Sequence, residues 1–170
     1  MFLSMNSEIL FQEKQRLNYW WLWLLMLGVN ALSISAVYFQ YTEAKATFCF
    51  YDMLTPIIPL GLTLFLYLIR LETEIKTEGI YVRFFPLHLK FKFFAWSDIK
   101  KSNVRKYNPL GEYFGWGIKG TRKNLAYNVS GNIGLQLEFT DGKRLLIGTR
   151  KEEEMKDVLR ELDLKDNNNN

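Results

Sequence analysis

From Leu17 to Thr42 the chain carries no charged residue, and the centre of that run, YWWLWLLMLGVNALSISAVYF, is predominantly apolar. A helix needs about 20 such residues to cross roughly 30 Å of hydrocarbon, so the run predicts a membrane-spanning helix. A second uncharged run, Met53 to Ile69, predicts a second span. Its Pro56 and Pro59 fall near the helix start, where a missing N–H costs little, and Asp52 is placed to cap that start. Both runs lie too deep in the chain, and the first is too long, for a cleaved signal peptide.

After Arg70 the apolar period changes to two, the spacing of a half-buried strand. Leu71, Thr73, Ile75 and Thr77 alternate with charged residues, Glu78-Gly79 reads as a hairpin turn, and Ile80, Val82 and Phe84 continue the alternation up to Pro86. Leu87, Leu89, Phe91 and Phe93 then alternate with His88, Lys90 and Lys92, predicting a strand with one apolar and one basic face. Trp96-Ser97-Asp98-Ile99 reads as a turn into a strand near Asn103 to Tyr107, which Asn108-Pro109 ends. Short strands follow near Trp116 to Lys119 and Leu125 to Val129, and Leu135, Leu137 and Phe139 pair with Leu145 and Ile147 across Asp141-Gly142. About seven strands on short connections predict antiparallel pairing throughout. Thr149-Arg150-Lys151-Glu152 is a capping box that opens a helix whose Met155, Val158, Leu159 and Leu162 form one apolar stripe.

The layout expected is therefore a cytoplasmic segment (1–16), a transmembrane hairpin (17–70), a β-rich domain (71–165) and a disordered polar tail (166–170). Lys14 and Arg16 precede the first run and Arg70, Lys76 and Arg83 follow the second, whereas the connection holds Glu43, Asp52 and the lone Lys45. The positive-inside rule then expects both termini in the cytoplasm. Gly28, Ala31 and Ser35 share one face of the first span, where small residues let helices approach, within the hairpin or between copies of the chain. Asn30 and Asp52 are expected to support hairpin packing and the helix cap, not an ion path.

The net charge of +4 draws the soluble part toward anionic lipid without conferring specificity. One cysteine, Cys49, permits no internal disulfide, and one histidine, His88, permits no histidine-based metal site or Ser-His-Asp arrangement within the chain. No cofactor is called for. GWGIKG at 115–120 fits the dinucleotide pattern G-x-G-x-x-G, but Thr121-Arg122-Lys123 follows it where a helix would have to begin, so the phosphate reading fails and glycines flanking an aromatic in a strand is preferred. Lys90, Lys92, Lys100, Lys101, Arg105 and Lys106 form the candidate basic surface, and Tyr113, Phe114 and Trp116 the candidate aromatic patch. A pocket lined by Glu112, Arg105 and Tyr113 would favour an enzyme, and an open aromatic patch a binding module. Nucleic acid is disfavoured as a partner, because no base-stacking motif accompanies the charge.

The spans, the hairpin TEIKTEGIYVRF, the WSDIKKSNV element, the Gly-Trp-Gly stretch, the closing hairpin LQLEFTDGKRLLIGT and the helix behind it together resemble a bacterial pleckstrin-homology-like domain tethered to the membrane, of a small two-pass type. The resemblance implies a partly open barrel or sandwich with one C-terminal helix, at the cytoplasmic face of a bacterial inner membrane. It implies a non-catalytic binding or scaffold role toward anionic lipid headgroups or membrane protein partners. An auxiliary subunit of a membrane enzyme or transporter complex is the alternative. Relatives that bind phosphoinositides hold the headgroup on the loop between their first two strands, which here reads as Thr77-Glu78-Gly79, short and acidic.

Overall fold

The computed structural model describes residues 8–42 and 50–168. The chain divides into two compact units, Leu17–Ile69 and a second made of Met1–Arg16 with Arg70–Asn170.

The first unit is a pair of helices, α1 (Trp20–Thr42) and α2 (Phe50–Leu68). The residues facing the partner helix recur every three or four positions, at Met26, Asn30, Ser33 and Val37 on α1 and at Pro56, Pro59, Thr63 and Leu66 on α2. Asn30 sits mid-seam, donating to the Met26 carbonyl at 2.6 Å and to the Thr63 hydroxyl at 2.8 Å. Gln40 and Tyr41 donate to the Asp52 carboxylate at 3.1 and 2.9 Å, so Asp52 ties the two helices together. A Cβ at Gly28 would meet nothing within 4 Å, and Ala31 and Ser35 are exposed. The small-residue face is thus not the hairpin seam, which is built from hydrogen-bonding side chains instead.

Among the described residues α1 is the one helix long and apolar enough to cross a membrane. Only 6% of its apolar window is buried, whereas a core helix of a soluble protein buries most of its length. The apolar part of α2, Asp52–Leu68, is shorter. At 1.5 Å per residue it extends about 26 Å, less than the hydrocarbon thickness of about 30 Å. The second run therefore does not stand as a span on its own length. Glu43, Lys45 and Cys49 lie outside the described residues.

Among the described residues the second unit holds nine strands in two sheets, with β1 (Ile9–Arg16), β2 (Arg70–Lys76), β3 (Gly79–Phe85) and β4 (Lys92–Ala95) in one, ordered β1-β2-β3-β4. The other orders β5 (Ile99–Lys106), β8 (Ile133–Phe139), β9 (Arg144–Gly148), β7 (Asn124–Asn128) and β6 (Gly117–Thr121) in the sequence β5-β8-β9-β7-β6. Two further helices are α3 (Pro109–Tyr113) and α4 (Glu152–Asn168). The Glu78-Gly79 and Asp141-Gly142 hairpins form at the expected places.

Five expectations change. Residues 9–16, read as a separate segment, are a full strand paired with β2 from Ile9↔Lys76 to Arg16↔Arg70. The first two strands of the sheet are therefore joined by the helical unit, and Thr77-Glu78 is the β2–β3 turn. Pairing is not antiparallel throughout, because β7 and β9 run parallel, brought side by side by β8 returning between β5 and β9. The strand expected from Leu87 begins only at Lys92: Pro86 has no N–H to give a ladder, and the His88 N–H turns back to the Phe84 carbonyl at 2.7 Å. Finally, α4 runs on to Asn168 through part of the expected tail, of which 169 and 170 lie outside the described residues.

The core between the sheets is made by Phe11, Leu71, Ile75, Ile80, Val82 and Phe84 from one side and by Leu135, Leu137, Leu145 and Ile147 from the other. Leu146, between two inward residues of β9, is buried as well, because α3 covers the outer face of that sheet and seats Tyr107, Tyr113, Ala126 and Leu146 in a second small core. A strand buried on both faces reads as a continuous apolar run, as Leu145-Leu146-Ile147 does. Met155, Val158 and Leu159 of α4 are buried against β5 and β1, so the stripe found in the sequence has its recipient.

Candidate functional site

Arg16 closes β1, Arg70 opens β2, and the two lie opposite each other in the ladder with Phe85 as the next partner. This end of the domain is where the chain leaves for the helices and where it returns. Side chains from both sheets converge there. Gln15 donates to the Gly148 carbonyl at 2.6 Å, and Arg150 spans the Arg16 carbonyl at 3.1 Å and the Ser130 hydroxyl at 2.6 Å. One residue on from Ser130, the Gly131 carbonyl accepts from the Trp116 indole at 3.1 Å.

Two loops are rooted at this end. Residues 86–91 follow Phe85 and expose Leu87 and Leu89, the latter 72% exposed. Between them His88 turns inward, its ring edge on Tyr127 at 5.4 Å, and the Lys92 ammonium donates to the Tyr127 hydroxyl at 2.8 Å. The second loop, residues 107–116, is tied by the Tyr107 N–H to the Asn132 carbonyl at 2.8 Å and by Gly117 opposite Asn128. Asn108 caps α3 by accepting from the Gly111 N–H at 3.1 Å, while Glu112 accepts from the Asn108 N–H at 2.8 Å, a reciprocal capping box with Pro109 in the first turn. The helix ends at Phe114, which has φ 59 and is 87% exposed. The left-handed turn is the helix's own C-cap, a place glycine usually takes: the Phe114 N–H returns to the Leu110 carbonyl at 3.1 Å and the Gly115 N–H to the Pro109 carbonyl at 2.9 Å. Gly115 and Gly117 continue the loop at φ of 119 and 120.

The electrostatics of this end centre on Glu72. Burial pushes its carboxyl up, but the hydrogen bonds and charges of Arg83 and Lys14 outweigh burial and hold it below the ordinary carboxylate value. Arg70 adds a third cation at 3.1 Å. Arg70 and Arg83 also stack on Phe85 and Phe91 at 4.4 and 4.5 Å. Burial, and then the Lys92 charge, hold the His88 imidazole below its ordinary value of 6.5. Below that pH the unfolded chain takes up the proton before the folded one, so stability falls as pH drops through 6.5 and levels off beneath the folded value. His88→Gln is expected to flatten the fall in melting temperature between about pH 7.5 and 5.

The candidate residues named from sequence are dispersed. Lys90 is exposed on the 86–91 loop, and Lys92, also exposed, has its ammonium engaged by the Tyr127 hydroxyl. Lys100 and Lys101 line a groove of about 410 Å³ with Trp96, Leu159 and Leu162, at the domain's other end by the β2–β3 turn. Lys106 is exposed at the end of β5. Arg105 clasps Glu112 at 2.7 and 3.2 Å and also reaches Gln136, so the acid and the base are spent on each other, and Arg105 is held above and Glu112 below its ordinary value, chiefly by that hydrogen bond. Tyr113 is buried, its hydroxyl donating to Asn124 at 3.2 Å, so the Glu112, Arg105 and Tyr113 group is a structural clasp. Phe114 and Trp116 are the open part of the aromatic patch.

Trp116 lies in the bend before β6, not within a strand, and GWGIKG runs into the β6–β7 hairpin with no helix after it. A Cβ at Gly120 would run into the Asn124 carbonyl, so close backbone approach explains the third glycine of the pattern. Sequence reasoning missed Leu87, Leu89 and Leu110 as surface residues and missed α3 altogether. The signal for α3 was present in Asn108-Pro109 with Glu112 one turn on. No protein-family model matches the chain, and no curated protein matches it.

Proposed function

We propose that this chain is a membrane-anchored, non-catalytic binding module in which α1 and α2 enter the bilayer together as a two-pass hairpin and the β-domain is held at its cytoplasmic surface. The observation that carries the reading is the insertion of an exposed apolar helix pair between two neighbouring strands of one sheet, which fixes the domain to whatever solvent the helices occupy. The Asn30–Thr63 and Tyr41–Asp52 hydrogen bonds support insertion of α1 and α2 as a pair, because they give polar side chains of both helices partners within it. A four-stranded meander, a second sheet and a helix across the assembly support the pleckstrin-homology-like reading of the domain. The exposed Phe114 and the spent Arg105–Glu112 pair favour binding over catalysis.

Washing membranes with alkaline carbonate tests the anchor: the protein is expected to stay in the pellet and to leave it only with detergent. Reporters fused at each terminus are expected to be active in the cytoplasm alone. Release by carbonate would overturn the anchor, and reporters on opposite sides would reduce the hairpin to a single span.

A further inference from the structure

We propose that the β-domain docks onto the surface of the phospholipid bilayer through the loops at 86–91 and 107–116, whose leucines and aromatics seat where headgroups meet acyl chains. The proposal rests on the reading of the helices as the anchor and adds a second, interfacial attachment to it.

The first ground is where the exposed apolar side chains fall. Among the described residues of the β-domain, Leu87, Leu89, Leu110, Phe114 and Trp116 are large, apolar and exposed, and all five sit in these two loops. Ile9, at the opposite end of the first sheet beside Lys76, and Phe93, stacked on Tyr81, are the exceptions. Exposed apolar side chains concentrated in two loops at one end of an otherwise polar domain are what an interaction surface requires.

Chain length supplies the second ground. Leu17, Asn18 and Tyr19 alone separate β1 from α1, and Ile69 alone separates α2 from β2. At most about 3.6 Å per residue step, these links span no more than about 14 and 7 Å. With the helices in the bilayer, the end of the domain that carries both loops is therefore held at the bilayer surface, whereas the groove at Lys100 and Lys101 belongs to the other end.

The chemistry of the set matches that zone. Tryptophan is enriched at membrane interfaces because its ring is amphipathic, and leucine and phenylalanine bury into the acyl boundary. Lys90, exposed between Leu89 and Phe91, is placed for headgroup phosphates. The C-cap of α3, closed by the Phe114 N–H to Leu110 and the Gly115 N–H to Pro109, leaves the Phe114 side chain 87% exposed on this loop.

Full-length protein carrying Cys49→Ser is reconstituted in vesicles of phosphatidylcholine and phosphatidylglycerol, with one new cysteine at Leu89, Phe114, Ile9 or Leu32, each labelled with an environment-sensitive fluorophore. Leu89→Cys and Phe114→Cys are expected to give blue-shifted emission quenched by lipid spin-labelled near the headgroup, and Ile9→Cys to give water-like emission without quenching. Leu32→Cys, at the middle of α1, reports the anchor itself through quenching by lipid spin-labelled deep in the acyl chain. Water-like, unquenched emission at Leu89 and Phe114 with Leu32 quenched overturns the docking and leaves the anchor standing. An unquenched Leu32 overturns both. Blue-shifted emission at the loops that spin-labelled lipid does not quench means a protein, or a second copy of this chain, covers them and also overturns the proposal.

Discussion

A chain that begins at Leu71 is expected not to fold, although it contains eight of the nine strands and both domain helices. What it lacks is β1, which contributes more than an edge. Phe11 is one of the largest fully buried side chains of the domain. Its loss has the scale of a buried Phe→Ala change, about 3–5 kcal/mol. Glu13 is buried and accepts from the Thr149 hydroxyl at 2.6 Å and the Arg150 N–H at 2.9 Å. It thereby holds the start of α4, and losing such a cap costs about 0.5–2 kcal/mol more. Gln15 adds a buried bond to Gly148 across the two sheets. Against a total stability of about 5–15 kcal/mol for a domain, these losses together with a whole strand ladder are decisive. Residues 8–16 joined to 70–168 by a short Gly/Ser turn in place of the helices are expected to regain a cooperative melt, because Arg16 and Arg70 are neighbours in the ladder. A matching thermal transition by circular dichroism for the chain that begins at Leu71 would refute the role given to β1.

Asn128→Leu is the second large effect expected. The side chain is fully buried, its amide donating to the Tyr107 hydroxyl at 2.9 Å and its carbonyl accepting from the Gly117 N–H at 2.8 Å. Leucine keeps the branching of asparagine with two larger methyl groups in place of the carbonyl and the amide, so the change strands hydrogen-bonding groups without opening a cavity. Each group left without its partner costs about 1–3 kcal/mol, which lowers the melting temperature of a domain this size by several degrees or more. The effect should also be local. Gly117 roots the loop that projects Phe114, so lipid quenching at a Phe114 label should fall while quenching at a Leu89 label persists.

How much of this was open to reading differs from element to element. The Glu78-Gly79 and Asp141-Gly142 hairpins and the stripe of α4 were legible because turn chemistry and periodicity act within a few residues. The capping box at Thr149 was half right: its hydroxyl does accept from the Lys151 N–H at 3.0 Å, but the carboxylate comes from Glu13 rather than Glu152, which pairs with Lys156 at 2.7 Å. Of the site, Phe114 and Trp116 were legible as aromatics next to glycines. Leu87 and Leu89 were misassigned because an apolar alternation looks the same whether a sheet or another surface receives it.

From the residues alone came the uncharged run of α1, the turn to period two after Arg70, and the hairpins, since each depends only on composition and neighbours in the chain. Tertiary structure decided the rest. It made a strand of ILFQEKQR, whose buried face of Phe11, Glu13 and Gln15 is mostly polar and becomes stable only when Thr149, Arg150 and Gly148, more than a hundred residues away, meet its hydrogen bonds. It set β7 parallel to β9, and it gathered one loop from each sheet at the end where the chain leaves for the helices. Those outcomes depend on which distant groups meet, and a desolvated polar group or an exposed leucine acquires its meaning only from what stands opposite it.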